Sequence, residues 1–260
     1  MNEFELYIQS YLNSLRPCLI SEAMAYAMDG GKRFRPRIIF ALLKDMGVEE
    51  REGYDAALAL EMIQTYSLIH DDLPAMDNDD FRRGKPSLHK AFREDIAILT
   101  GDQLLNDAFR VLSQSKSYND YVKIKLIETL SRYAGADGMI YGQLLDVTCE
   151  IKDIDKEKLY EIQENKTSGL FKVACLMAMY IAENKQEDLF LKIGSLIGHI
   201  FQNQDDLFDV IKSEEEMGKS LSDARNEKGS ALSLYTIEEL QALIEDEFLQ
   251  MDKLLDRLDL

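Results

Sequence analysis

AALALEMIQTYSLIHDDLPAMD, residues 56–77, divides into two parts with different physics. From Ala56 to Ile69 it is apolar around most of a helical circumference, the pattern of a helix buried in the middle of a bundle. Asp71 and Asp72 follow directly, and Pro74 argues against a regular helix through LPAM, because proline lacks the N–H and restricts the residue before it. Asp71 and Asp77 are six residues apart and would lie on nearly opposite faces of an undisturbed helix. A bulge at Pro74 would carry Asp77 back towards Asp71.

Leu189 to Val210 has the same buried-helix character and is expected to carry Asp205, Asp206 and Asp209 at its C-terminal end. Asp205 and Asp209, four residues apart, differ by ~40° on a helix and share one face. Two central helices that both end in carboxylates predict a site between bundle helices. Mg²⁺ is commonly held by one or two carboxylates plus substrate phosphates and water, so two such clusters facing one another would clamp a diphosphate. Taken singly, the first cluster also reads as a solvated acidic loop, extended by Asp79 and Asp80, and the second as a polar helix end; together they are far more specific.

Working outward, apolar residues recur at helical spacing: Phe4, Tyr7, Ile8, Tyr11, Leu12 and Leu15 near the start, and Ile124, Ile127, Leu130 and Tyr133 in the middle. Breaks are expected near Asp29-Gly30-Gly31, Met46-Gly47, Asn78 to Pro86, Ser115 to Asn119, Lys152 to Asp155, Glu183 to Gln186 and Lys212 to Gly229. Strand-like alternation is scarce and nothing repeats at a solenoid period. The expected fold class is all-α: a single-domain large helical bundle over residues 1–260, with about ten helices around a central active-site cavity.

The chain has 260 residues, four prolines and no Ser-, Gly- or Pro-rich linker. Its formal charge of −18, from 48 acidic and 30 basic residues, opposes binding to nucleic acid or an anionic membrane. Cys18, Cys149 and Cys175 are far apart and odd in number, which suits reduced thiols. The acidic N-terminus is unlike a signal peptide, and the most apolar segment, Leu170 to Ala182, contains Lys172 and falls short of the ~20 residues of a bilayer span. A soluble, cytoplasmic protein is expected.

Within this acidic chain the basic residues cluster. GGKRFRPR places Lys32, Arg33, Arg35 and Arg37 after a glycine pair, and FRRGKP places Arg82 and Arg83 just past the first acidic motif. Arginine offers a planar fork to phosphate oxygens and lysine a movable point charge. Each patch alone also reads as a solvated basic surface.

GGKRFRP, SLIHDDLPAMDNDDFRRGKPSLH, YGQLLD, NKTSGL and FQNQDDLFD, in this order, resemble the trans-isoprenyl diphosphate synthases, especially the bacterial farnesyl diphosphate synthases, over roughly residues 20 to 235. The resemblance implies an isoprenoid-synthase type of bundle and a head-to-tail condensation of isopentenyl diphosphate with an allylic diphosphate. It implies a Mg²⁺ cofactor, about three ions per active site, bound through Asp71, Asp72, Asp77, Asp205 and Asp209. Arg82, Lys166 and Lys219 match positions that contact the allylic diphosphate, and Lys228 a more distal basic position. Lys32, Arg35 and Arg83 match positions that hold isopentenyl diphosphate, and Gln64, whose amide can donate to phosphate, is expected as a substrate contact. Thr167 and Gln202 match polar residues near the allylic carbon. The departing diphosphate is the implied base, so His70, His89 and His199 are read as structural.

Tyr66 lies five residues before Asp71, ~7.5 Å down a helix axis, and Ser67 four before it. A bulky Tyr there would stop a growing chain. The Tyr-Ser pair with the Pro74-Ala75 insertion resembles farnesyl-forming enzymes, which implies a C15 product; a C20 product stays open, as does Tyr66 as an ordinary core aromatic.

The sequence departs from the pattern at Gln64, where bacterial relatives commonly carry His, at Leu221 in place of a glycine, and at Gly229-Ser230-Ala231 after Lys228. Both ends read as shortened, and missing C-terminal helix surface would leave Phe248, Leu254 and Leu255 exposed unless a partner subunit or a rearranged terminus covers them. A homodimer is the family's usual state and is expected here. Two other readings are a degenerate subunit that tunes a partner synthase, against which the intact aspartates argue, and a class I terpene cyclase, against which DDLFD and GGKRFRP argue.

Overall fold

The computed structural model describes residues 1–217 and 231–258. They form an all-helical chain with one two-stranded hairpin and divide into two compact units, Met1–Thr129 with Met177–Asn184, and Leu130–Leu176 with Lys185–Leu260.

The first unit contains α1 (Asn2–Ser14), α2 (Leu19–Met28), α3 (Phe34–Asp45), α4 (Tyr54–Asp71), α5 (Leu88–Phe92) and α6 (Glu94–Gln114), with the start of α7 (Asp120–Ala134). The all-round apolar pattern of α4 is explained by its burial: Ala56 to Leu60, Met62, Ile63, Tyr66 and Ile69 all lie inside. It packs most extensively against α6, whose buried Ala97, Gly101, Leu104, Ala108 and Val111 follow a three-four spacing. Phe4 and Tyr54 pack against Phe40 with ring centroids 5.2 and 5.5 Å away, which ties α1, α3 and α4 together.

Pro74 ends α4 as its chemistry requires. Its ring would collide with the carbonyl of His70, four residues back. The helix stops at Asp71, and the Leu73 amide donates to the His70 carbonyl at 3.2 Å in a tighter turn. Beyond it, Asn78 to Pro86, expected only as a break, folds into a hairpin of β1 (Phe81–Arg82) and β2 (Lys85–Pro86), with Arg82 opposite Lys85. The central residues Arg83 and Gly84 have φ of 53° and 74°, the positive values a tight primed turn demands. Gly84 supplies that cheaply and Arg83 at a cost.

The second unit contains the end of α7, α8 (Met139–Thr148), α9 (Lys156–Lys166), most of α10 (Ser168–Ile181), α11 (Glu187–Met217) and α12 (Ile237–Leu255). Asp155 caps α9 by accepting from the Lys158 amide at 2.8 Å, and Thr236 with Glu239 forms a capping box on α12. Leu159, Ala231, Leu232, Leu240 and Ile244 make a small core. On α12, Phe248 and Leu255 are exposed and Leu254 is partly so.

Most expected breaks fall where helices end, at Met28, Asp45, Gln114, Thr148 and Ile181. The expectation for α11 needs correction. It was expected to end near the aspartates and break from Lys212, yet it runs to Met217, so Asp205, Asp206 and Asp209 lie inside it. SEEEM contains neither Gly nor Pro, and its Glu and Met side chains favour helix. Lys219, Leu221, Lys228, Gly229 and Ser230 lie outside the described residues.

Candidate active site

In the first unit, the turn around Pro74 brings the outer aspartates together. The Asp77 amide donates to the Asp71 carbonyl at 2.9 Å, closing the six-residue gap that a straight helix would have left open. Asp72 behaves differently from its neighbours. It is 2% exposed, and its Oδ1 accepts from Arg82 Nε at 3.0 Å, while Arg82 also reaches Asp79 at 3.1 Å. Burial pushes the Asp72 carboxyl up, and the guanidinium opposes that push. This expected metal ligand is therefore engaged with Arg82, because a buried carboxylate needs a counter-charge.

The hairpin turns its two arginines in different directions. Arg82 points to Asp72 and Asp79, whereas Arg83 Nη1 donates to the Ala27 carbonyl at 3.3 Å. Lys32 is exposed, with Nζ 5.9 Å from the centroid of the Phe34 ring. Arg35 follows at the start of α3, where close packing lowers its guanidinium from the usual arginine range. Gln64 is half-buried on α4, and its carbonyl accepts from Ser67 Oγ at 3.0 Å.

Tyr66 is 6% exposed and meets His70 edge to face at 5.7 Å between centroids. Its hydroxyl is buried without a hydrogen-bond partner, and burial, with the Asp71 charge, pushes its pKa up to about 12. His70 in turn lies against Gly101 of α6, with Nε2 3.3 Å from the Ile98 carbonyl oxygen. That placement suits the structural role expected of His70.

In the second unit, Lys166 closes α9 and its Nζ donates to Asp146 Oδ2 at 2.6 Å. The neighbouring helices meet through Gly142 of α8: a Cβ there would stand 2.1 Å from the Lys166 nitrogen and 2.5 Å from its Cα. Thr167 Oγ1 donates to Gln202 Oε1 at 2.9 Å, and Gln202 Nε2 donates to Asp206 Oδ1 at 2.9 Å. Asp206 Oδ2 accepts from the Ala231 amide at 2.7 Å. Asp206 is thus occupied in holding structure, while the adjacent Asp205 is exposed. The Asp209 side chain lies outside the described residues.

Glu61 is not among the residues the motifs single out, and Asp79 and Asp146 enter there only as an acidic extension and as the end of YGQLLD, without the cation partners the structure gives them. Glu61 carried a signal, since it is the one charged residue in the apolar run from Ala56 to Ile69. A cavity of about 780 Å³ in the second unit, bordered by Tyr160, Glu164 and His199, includes none of the expected site residues. There His199 Nε2 lies 2.9 Å from Glu164 and its ring stacks on Tyr160 at 4.3 Å, again a structural role.

Among the described residues, no three His, Cys, Asp or Glu side chains form a metal cage. Asp71 and Asp77 are joined through their backbones, and carboxylates of this kind suit a hard cation whose remaining ligands come from phosphate and water, as is usual for Mg²⁺.

The polyprenyl synthetase family model matches residues 17–256. The farnesyl diphosphate synthase of Micrococcus luteus is 42% identical over 244 residues, 92% of this chain and 84% of the relative. Among solved structures, the apo FPP/GFPP synthase of Zymomonas mobilis is 32% identical with a TM-score of 0.85, over 98% of this chain and 91% of that one. The geranyltransferase of Helicobacter pylori complexed with magnesium and isoprenyl diphosphate is also 32% identical, with a TM-score of 0.82, over 98% and 89% of the two chains. The match runs through both compact units and includes both aspartate motifs: the chain belongs to the polyprenyl synthetase family.

Proposed function

We propose that this protein is a Mg²⁺-dependent trans-prenyltransferase that condenses isopentenyl diphosphate with geranyl diphosphate, or twice in succession starting from dimethylallyl diphosphate, to give farnesyl diphosphate and release diphosphate at each step. The observation that carries the reading is the Pro74 turn, which draws Asp71 and Asp77 together in a family whose relatives are named for prenyl diphosphate synthesis. Asp71, Asp77, Asp205 and Asp209 supply carboxylates for the metal, and Asp72 contributes by holding Arg82. Bound Mg²⁺ stabilises the negative charge that accumulates on the leaving diphosphate.

The residues of the chain divide the remaining work. Arg82 and Lys166 bind the allylic diphosphate, each preset by a carboxylate that a substrate phosphate can replace. Lys32, Arg35, Gln64 and Arg83 bind isopentenyl diphosphate. The allylic C–O bond breaks with its electron pair leaving on diphosphate, the isopentenyl double bond supplies the pair for the new C–C bond, and a proton passes to the departing diphosphate. The Thr167 and Gln202 oxygens offer dipoles to the transient cation. Lys219 and Lys228 belong to the same reading. Buried Tyr66, with Ser67 beside it, sets C15 over C20 as the product.

The chain acts as one synthase domain and as a homodimer in the cytoplasm. Exposed Ile98 and Leu99 on α6 and Tyr121 and Ile124 on α7 support self-association, and none of the described helices is long and apolar enough to cross a membrane. The test is incubation of purified protein with Mg²⁺, isopentenyl diphosphate and geranyl diphosphate, with products sized by mass spectrometry. A C15 product that disappears with EDTA is expected, and Asp71→Ala or Asp205→Ala should lower turnover by orders of magnitude while the melting curve stays put. No condensation by the wild-type protein would reject the reading, and normal turnover in either variant would reject the metal assignment.

A further inference from the structure

The first unit holds a buried charge that the chemistry above leaves unused. Glu61 is 3% exposed on α4, one turn before Gln64. Arg33, 4% exposed, donates from Nη1 to Glu61 Oε2 at 2.9 Å. Its Nε and Nη2 go to Glu5 at 2.9 and 3.1 Å, and Nη2 also donates to the Met28 carbonyl at 2.7 Å. Although Arg33 sits inside the basic motif GGKRFRPR, its guanidinium faces inward. It is held there with a left-handed backbone, φ 55°, which a non-glycine residue adopts only at a cost.

Arg83 borders the same place. A Cβ on Gly31 would lie 2.5 Å from Arg33 Nη1 and 3.3 Å from Arg83 Nη1, so only a glycine leaves room for the two guanidiniums. Arg33 is buried and Arg83 is exposed beside it, and like charges repel. Desolvation lowers the proton affinity of Arg83, Glu61 raises it and Arg33 lowers it; for Arg35, burial lowers it and Glu61 opposes. Glu61 touches Arg33 directly, Arg33 and Arg83 meet at Gly31, and the Glu61 charge favours the protonated form of Arg35 and Arg83.

We propose that Glu61, acting through Arg33, is a positioning residue for the isopentenyl diphosphate site: it fixes the Arg33 guanidinium beside Gly31 and so sets where Arg83 stands before substrate arrives. The inference rests on the assignment of Lys32, Arg35 and Arg83 to that diphosphate. Glu61 does not touch the substrate. Without its charge the guanidiniums splay apart, and isopentenyl diphosphate must reassemble them from its own binding energy. The allylic substrate, bound by other residues, bears none of that cost.

Glu61→Gln keeps the shape and one acceptor for Arg33 but removes the charge. Steady-state kinetics of the full chain with Mg²⁺ should show the KM for isopentenyl diphosphate rising about tenfold, the scale of one charge-assisted hydrogen bond. The KM for geranyl diphosphate and kcat at saturating isopentenyl diphosphate should stay within about twofold. Glu61→Asp, which keeps the charge and retracts it by one methylene, should recover most of the loss and provides the same comparison if the Gln variant does not fold. Equal changes in both KM values, no change in either, or no rescue by Asp would overturn the proposal and leave Glu61 as part of the core. Arg35→Ala separates the two levels: if it leaves the isopentenyl diphosphate KM unaltered, the site assignment itself has failed and this inference falls with it.

Discussion

Gly142→Ala adds a single methyl where α8 meets α9. The new carbon would stand 2.1 Å from the Lys166 nitrogen and 2.5 Å from its Cα, both backbone atoms that no rotamer change can move. Ordinary contact begins at about 3.4 Å, so the helices must separate by more than an ångström. Alanine favours helix over glycine by about 1 kcal/mol, whereas overpacking of this kind costs about 1–3 kcal/mol. The expected net loss is up to about 2 kcal/mol, a fall in Tm of up to about 8 °C for a domain of this size.

The same shift separates Lys166 Nζ from Asp146, now 2.6 Å apart, and displaces the cation proposed to meet the allylic diphosphate. Misplacement by about an ångström can cost about a hundredfold in rate. Turnover with saturating substrates and a thermal melt measure both effects on one preparation. Gly47→Ala is the control: Gly47 has φ 73° with nothing within 4 Å of an added Cβ, so it should lose about 1 kcal/mol of stability to backbone strain and keep its turnover. Turnover of Gly142→Ala within twofold of wild type, together with an unchanged melt, would refute the reasoning about this contact.

Tyr66→Phe deletes a buried hydroxyl that has no partner, so it should be neutral or stabilising by up to about 1 kcal/mol in urea unfolding and leave the C15 product unchanged, whereas Tyr66→Ala should lengthen products. An unchanged product profile in the Ala variant would discard Tyr66 as the floor of the cavity. Glu164 lies at about 2 against an ordinary 4.5: burial raises it, but hydrogen bonds from His199, Lys172 and Ser195 more than offset that. A depressed carboxyl contributes stability above its unfolded pKa and loses it as pH falls through the folded value. With a side chain one-quarter exposed, a contribution of about 2 kcal/mol should disappear between pH 5 and pH 2. Urea melts across that window should show a shallower decline for Glu164→Gln than for wild type; parallel declines would count against the contribution.

Several features were legible because they depend on local chemistry. The run from Ala56 to Ile69 reads as a buried helix whatever packs on it, Pro74 must interrupt that helix, and the interruption returns Asp77 to Asp71. Arg83-Gly84 carried a turn signal too, but a two-residue strand is too short to leave an alternating pattern, so the hairpin went unread. The end of α11 was misplaced because a charged helix and a charged loop share a composition, and nothing between Asp205 and Met217 marks a stop.

What the sequence by itself determined was the helical class, which residue type and spacing suffice to give; the grouping of Asp71, Asp77, Asp205, Lys166, Thr167 and Gln202 in one proposed chemistry rests on the resemblance of their motifs to the family. Which of these groups are already engaged was decided only by tertiary structure. Burial turned Asp72 towards Arg82 and gave Asp206 to the Ala231 amide, although each has an exposed or partly exposed aspartate beside it. Burial also made Glu61 and Arg33 partners across 28 residues of chain. A charge taken out of water must find its counter-charge in whatever the fold brings near, and that neighbour has no signature in local sequence.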